Sequence, residues 1–188
     1  MDCVKKKCKR SFPAFVIEND QAVVPGECSI GELRQLFSFF EHRAPNIDSA
    51  HSPILDAQIH KQTLDRMLGG NAHFVFCAHI ANTESELQKL GLDGYSLCSR
   101  CKRFLCKRSG HDSKRVSGQK ETDLECLLRH VRNSLAHGHV YIIHGGNYIS
   151  ILLEDINSSG KTTARIICCQ ADLKKWKAIL EKAISHQQ

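Results

Sequence analysis

The spacing of apolar residues divides the chain into a long region of helical periodicity and a shorter late region of strand chemistry. The string "SIGE" at Ser29–Glu32 offers a reciprocal capping pair, and Ile30, Leu33, Leu36, Phe37 and Phe40 follow on one helical face, which predicts a helix over 30–42. Pro53 suits a first turn, and Ile54, Leu55, Ile59, Leu64, Met67 and Leu68 lead to a stop at Gly69-Gly70, predicting a helix over 53–68. "NAHFVFCAHIANTESELQKLGLDG" reads as helical with a second capping pair, Thr83 and Glu86, although Phe74–Phe76 alone have strand composition. "YSLCSRCKRFLCKR" places Leu97, Cys101, Phe104, Leu105 and Arg108 on one helical face, and the polar residues 109–121 read as a flexible loop. "TDLE" is a third capping pair, Thr122 and Glu125, opening a helix whose Leu124, Leu127, Leu128, Val131 and Leu135 form one apolar stripe.

After Gly138 the residues become β-branched and aromatic in "HVYII", "NYISILL" and "ARIICC", separated by "HGGN" and "NSSGK", which predicts short antiparallel strands. Leu173, Trp176, Leu180 and Ala183 then form the seam of a closing helix. The expected fold is mainly α: a helical bundle with a short antiparallel β-hairpin before the C-terminal helix.

Composition narrows the class. A chain of 188 residues that is 41% hydrophobic and 24% charged is long enough for a full core and short enough for a single domain spanning 1–188, with a basic and irregular leader over 1–27. The apolar stretch "PAFVI" after the basic start is too short for a signal-peptide core, and no segment approaches the length of a membrane span, so a cytoplasmic protein is expected. Ten cysteines in such a chain read as reduced thiols or metal ligands rather than as a disulfide framework. A net charge of +6 favours an acidic partner, nucleic acid being the commonest.

Candidate chemistry gathers in "LRHVRNSLAHGHVYII", residues 128–143. On the helix from Thr122, Glu125, Arg129, Arg132, Asn133 and Ala136 fall opposite the leucine stripe. Gly138 suits a left-handed C-terminal cap, which would leave His137 at or beyond the last turn and free to swing toward Arg132. Arginine and histidine together suit phosphodiester cleavage: a histidine near its ordinary pKa can move a proton to or from a ribose hydroxyl while a guanidinium holds the phosphate oxygens. The structural alternative is that basic residues in a helix's last turns complement its macrodipole. Arg129, one turn earlier, is placed to bind the next phosphate of a substrate, or is a solvated surface charge. His139 and His144, in a strand pattern, read as surface residues.

The string "RNSLAH" matches an R-x4-H signature with a polar residue after the arginine, and in this it resembles the HEPN (higher eukaryotes and prokaryotes nucleotide-binding) ribonucleases. The surrounding "LLRHVRNSLAHGHV", followed by strands and a helix, is similar to small plasmid- or phage-defence-associated members. The resemblance implies a HEPN-like bundle that pairs with a second copy, so that Arg and His of two protomers build one metal-independent site cutting RNA through 2′-OH attack. It implies a toxin or antiviral role, RNA as substrate, an antitoxin protein as a partner, and no cofactor. Arg132 would stabilise the phosphate, Asn133 would orient it and His137 would transfer the proton. The R-x4-H-x-Y pattern of some toxin members is not met, since His139 occupies the tyrosine's place and Tyr141 follows two residues later; the E-x3-K-R-x4-H extension is also absent, with Leu127 and Val131 in the places of its acid and lysine.

A competing reading starts from Cys98, Cys101, Cys106 and His111, whose C-x2-C-x4-C-x4-H spacing is close to a zinc knuckle among the basic Arg100, Lys102, Arg103, Lys107 and Arg108. It describes a non-catalytic RNA- or protein-binding module, zinc-stapled or not. A continuous helix over 96–108 would keep these ligands apart and make Cys101 a small buried hydrophobe. Cys168, Cys169, Cys3 and Cys8 read as packing or dangling thiols.

Overall fold

The computed structural model describes residues 14–17, 22–43, 60–69, 73–94, 96–99, 102–109, 121–145 and 148–185. Strand β1 (Ala14–Val16) precedes helices α1 (Gly31–Arg43) and α2 (His60–Leu68). Strand β2 (His73–Cys77), helix α3 (Thr83–Leu90), strands β3 (Ser96–Cys98) and β4 (Arg103–Lys107) and helix α4 (Asp123–Ala136) follow. The chain then runs through β5 (Val140–Gly145), β6 (Tyr148–Ile156) and β7 (Thr162–Cys169) into α5 (Gln170–Ser185). The proposed start of α2 at Pro53 lies outside the described residues.

The expectation of a mainly α bundle with one late hairpin is overturned. Five strands form a mixed sheet in the order β2-β4-β7-β6-β5, with β2 and β4 parallel and the other pairs antiparallel, so the fold is α/β. The late strands form the antiparallel part of this sheet, and two segments read as helical complete it. Phe74 pairs with Phe104 and Val75 with Leu105, turning "HFVFC" and "RFLCK" into strands. β4 is buried on both faces: Phe104 and Cys106 pack into a helix-side core with Phe40, Val131 and Trp176, while Leu105 packs into a second core with Phe15, Leu87 and Leu97. A strand covered on both faces shows no alternation of polarity, and a short apolar run then fits a helix equally well. Leu105 and Phe104 therefore face opposite ways instead of sharing a helical face.

Helix α1 runs one residue later than expected. The capping pair expected at Thr83 does not form: Asn82 holds the N-cap position of α3, and the buried Thr83 hydroxyl has no partner among the described residues. Helix α4 keeps its own capping box, in which Thr122 N–H donates to Glu125 Oε2 at 2.7 Å and Glu125 N–H donates to Thr122 Oγ1 at 3.3 Å. Its leucine stripe is buried against the sheet. The helix ends in a full Schellman motif: Gly138 takes φ +70°, its N–H donates to Leu135 O at 3.1 Å, and His139 N–H donates to Ser134 O at 2.9 Å. That motif turns the chain straight from α4 into β5. Among the described residues no helix is long and apolar enough to cross a membrane.

Candidate active site

The second half of α4 lies against β6 and the end of β4, and charged side chains are buried where the three meet. Asp155 sits where the pairing register of β6 with β7 shifts, and the Thr163 hydroxyl donates to the Asp155 carbonyl at 3.0 Å. A bulge of this kind re-aims a side chain. Asp155 shares the helix-side face of β6 with Ile151 and Leu153, and its Oδ2 lies 2.6 Å from His130 Nδ1 and accepts from Asn133 Nδ2 at 3.2 Å. His130 Nε2 is 2.7 Å from the Lys107 carbonyl oxygen, which also accepts from Arg129 Nη2 at 2.8 Å. Arg129 completes the network by pairing its Nε with Glu121 Oε1 at 2.6 Å and its Nη2 with Glu121 Oε2 at 3.1 Å.

The protonation of His130 follows from its partners. A carbonyl oxygen and a carboxylate can only accept, so both ring nitrogens must carry hydrogen and the ring is an imidazolium. Burial opposes that charge most strongly, yet the hydrogen bonds to Asp155 and Cys126 together outweigh it and raise the pKa of His130. Burial would likewise raise Asp155, but the hydrogen bond and charge of His130 bring it below the usual carboxylate range. Glu121 is lowered by Arg129 against the opposing effect of burial, and Arg129 is raised by Glu121 in return. Arg129 is thus paired with Glu121 and His130 with Asp155 inside the protein, as buried charges require.

The shifts set a pH window. The contribution of His130 to stability is complete below about pH 6.5, its unfolded value, and is lost as pH rises through the raised folded value; that of Asp155 is complete above about pH 3.9 and is lost as pH falls through its lowered one. The melting-temperature difference between the wild type and His130→Gln should therefore shrink steadily as pH rises above about 6.5. A difference that stays constant up to pH about 9 would show that the folded protein does not hold His130 as a cation.

A cleft of about 760 Å³ opens over this network, lined by Lys107, Arg108, Asn133, His137, His139 and Asp155 among others. His137 is exposed at the C-cap of α4. Its ring centroid lies 6.4 Å from that of His139, whose Nδ1 is buried without a partner among the described residues. Asn133 and His137 thus share the cleft. Arg132 does not line it: five residues from His137, it lies about 140° around the helix, half-buried and without a hydrogen bond or ion pair among the described residues. His137 keeps helical backbone angles at the cap, φ −93° and ψ 0°, so it does not swing toward Arg132 within the chain. Arg129 is 7% exposed and bound to Glu121 rather than solvated. His144 is exposed on β5.

The segment of the competing reading is differently engaged. Lys102 pairs with Asp172, Arg108 pairs with Asp123, and Arg103 donates to the carbonyl oxygens of Leu90 and Gly91 at 2.8 and 2.9 Å, closing the C-terminal end of α3. Residues 96–98 and 103–107 form two strands, not one helix, and Cys106 is wholly buried in the helix-side core. Cys101 and His111 lie outside the described residues, as do Cys3 and Cys8. Among the described residues no group of three or more side chains is placed to hold a metal ion.

Comparison with known families decides the kinship. The HEPN pEK499 p136 family matches residues 59–187, more than half of the chain. The protein is a member of the HEPN superfamily. No curated protein and no solved structure matches it. The match runs from the threshold of α2 to the end of α5, so the HEPN region takes in the whole five-stranded sheet as well as the R-x4-H helix.

Three residues of this candidate site escaped sequence reasoning: Glu121, His130 and Asp155. His130 is seven residues before His137 and thus almost in phase with it, and Asp155 follows Glu154 just after the apolar run of β6. An acid at the end of a strand buried on both faces needs a partner, and that was the available signal.

Proposed function

We propose that the protein is a metal-independent endoribonuclease of HEPN type, acting in the cytoplasm as a toxin or antiviral defence effector and restrained by a protein antitoxin. Its reaction is attack of the ribose 2′-oxygen on the adjacent phosphorus with loss of the 2′-hydroxyl proton; the P–O5′ bond breaks, and the products are a 2′,3′-cyclic phosphate and a 5′-hydroxyl that takes up a proton. The observation that carries this reading is the placement of His137 and Asn133, from the R-x4-H motif, on the wall of a cleft that also presents Lys107, Arg108 and His139. His137 is exposed to solvent and able to exchange a proton with a ribose hydroxyl, and the cations of the cleft suit a polyanion. The competing binding module is disfavoured because Lys102 and Arg103 of its segment are engaged within the fold, whereas Lys107 and Arg108 line the cleft beside His137.

Arg132 does not line the cleft of its own chain, and this supports a homodimer in which the arginine of one protomer serves the histidine of the other. Two-fold pairing would put one proton-transfer group and one phosphate donor at each site. Mixing inactive Arg132→Ala with inactive His137→Ala protein tests the arrangement. Each heterodimer would hold one site with both lesions and one with none, so about a quarter of wild-type cleavage should return on random exchange of subunits. No recovery after verified exchange would assign the site to a single chain. Cleavage should also persist in EDTA and yield cyclic phosphate ends; abolition by chelation would refute the metal-independent mechanism.

A further inference from the structure

The amide of Asn133 is not free to turn. Asp155 is a carboxylate and accepts only, so the group 3.2 Å from its Oδ2 must be the amide nitrogen. Asp155 is in turn fixed by the 2.6 Å contact with His130, and His130 by the 2.7 Å contact with the Lys107 carbonyl. His130 and Asp155 are buried, at 1% and 5% exposure, whereas Asn133 is half-buried and lines the cleft. One N–H is thus committed to Asp155, and the amide oxygen and the second N–H remain for a ligand in a set orientation. Side-chain amides lose this selectivity when they can flip; this one is held from behind by a charged pair.

The chemistry beside Asn133 restricts what that ligand is. Asp155 lines the same cleft, so a phosphate placed on the amide would be brought against a carboxylate. A hydroxyl carries no charge, and it both donates and accepts, which matches the two groups Asn133 has left. His137 stands four residues on, one turn along the same face of α4, within reach of a group bound at Asn133. Phosphate is better served by Lys107 and Arg108 in the same cleft.

We propose that Asn133 reads the ribose 2′-hydroxyl of a bound RNA strand, and that Asp155 and His130 are the positioning residues that hold its amide for the task. The inference rests on the ribonuclease reading for its choice of polymer, and it moves Asn133 from orienting the phosphate to recognising the nucleophile. A residue in this role makes the site prefer RNA over DNA of the same sequence, since the deoxy sugar leaves the fixed amide without its partner.

The test is made on the full chain in the His137→Ala background, which leaves bound RNA uncut. Affinities are measured at one salt concentration for single-stranded oligonucleotides of one sequence, with ribose or 2′-deoxyribose throughout. The ribose form should bind about three- to tenfold more tightly, the scale of one hydrogen bond, and Asn133→Ala should bring that factor to about one. Asp155→Asn and His130→Gln should reduce the factor in the same way and change nothing further once Asn133 is alanine; a merely structural effect would weaken both polymers in both backgrounds. If the buried variants fail to fold, Asn133→Ala and Asn133→Ser still decide, because Asn133 is outside the core. Cleavage by the wild type is assayed in parallel. A chain that cleaves RNA while Asn133→Ala keeps its ribose preference, or loses base preference instead, overturns the assignment and leaves the ribonuclease standing. A chain that does not cleave, yet has a ribose preference that Asn133→Ala abolishes, supports the assignment and overturns the ribonuclease. A chain that binds neither polymer overturns both.

Discussion

Replacing His137 with alanine is expected to lower RNA cleavage by about 10²-fold or more, the usual scale for removing a general acid or base. The side chain is exposed at the end of α4 and makes no hydrogen bond among the described residues, so the melting temperature should move little. A loss of activity with the fold intact would therefore belong to chemistry. His137→Ala protein as active as the wild type would rule His137 out as the proton-transfer group, and the cleft would then need another, such as His139, whose ring centroid lies 6.4 Å away.

Asp155→Ala is expected to act in the opposite way, on the fold before the chemistry. It leaves the imidazolium of His130 buried without its anion, and removing one member of a buried pair costs about 3–5 kcal/mol. In a chain of this size that corresponds to a fall in melting temperature of about 6–20 °C. The effect should be larger near pH 6 than near pH 9, because the stranded ring can shed its proton at high pH. Thermal unfolding of the two proteins at both pH values measures this directly. A variant melting within about 2 °C of the wild type at pH 6 would mean that the pair contributes little to holding β6 against α4.

The helices that carry one apolar stripe were legible in the sequence. Leu33, Leu36, Phe37 and Phe40 of α1, the leucine stripe of α4 and Leu173, Trp176 and Leu180 of α5 are all buried as their spacing predicts, because each helix covers the core with one face and the pattern repeats at the helical period. The capping box at Thr122 and the left-handed Gly138 were legible for the same reason: a cap is local, made by residues within a turn of each other. The R-x4-H string likewise pointed to the superfamily that the match over residues 59–187 supports.

The strands β2 and β4 were not legible, and neither was the buried network. Phe74 and Phe104 are thirty positions apart and become neighbours only when the two segments pair; each run alone is short, apolar and free of period. The same holds for His130 and Asp155. Their residue types have no fixed role in a sequence, and it is the bulge in β6 and the approach of α4 that set one ring between a carboxylate and a carbonyl and so decide its charge. The order of residues in α4 determined that Arg132 and His137 lie on different sides of one helix, since that is fixed by 100° per residue. Which of the two lines the cleft was decided by the sheet beneath, because burying the leucine stripe sets the rotation of the helix and brings the flank of Asn133 and His137 beside β6 and the end of β4.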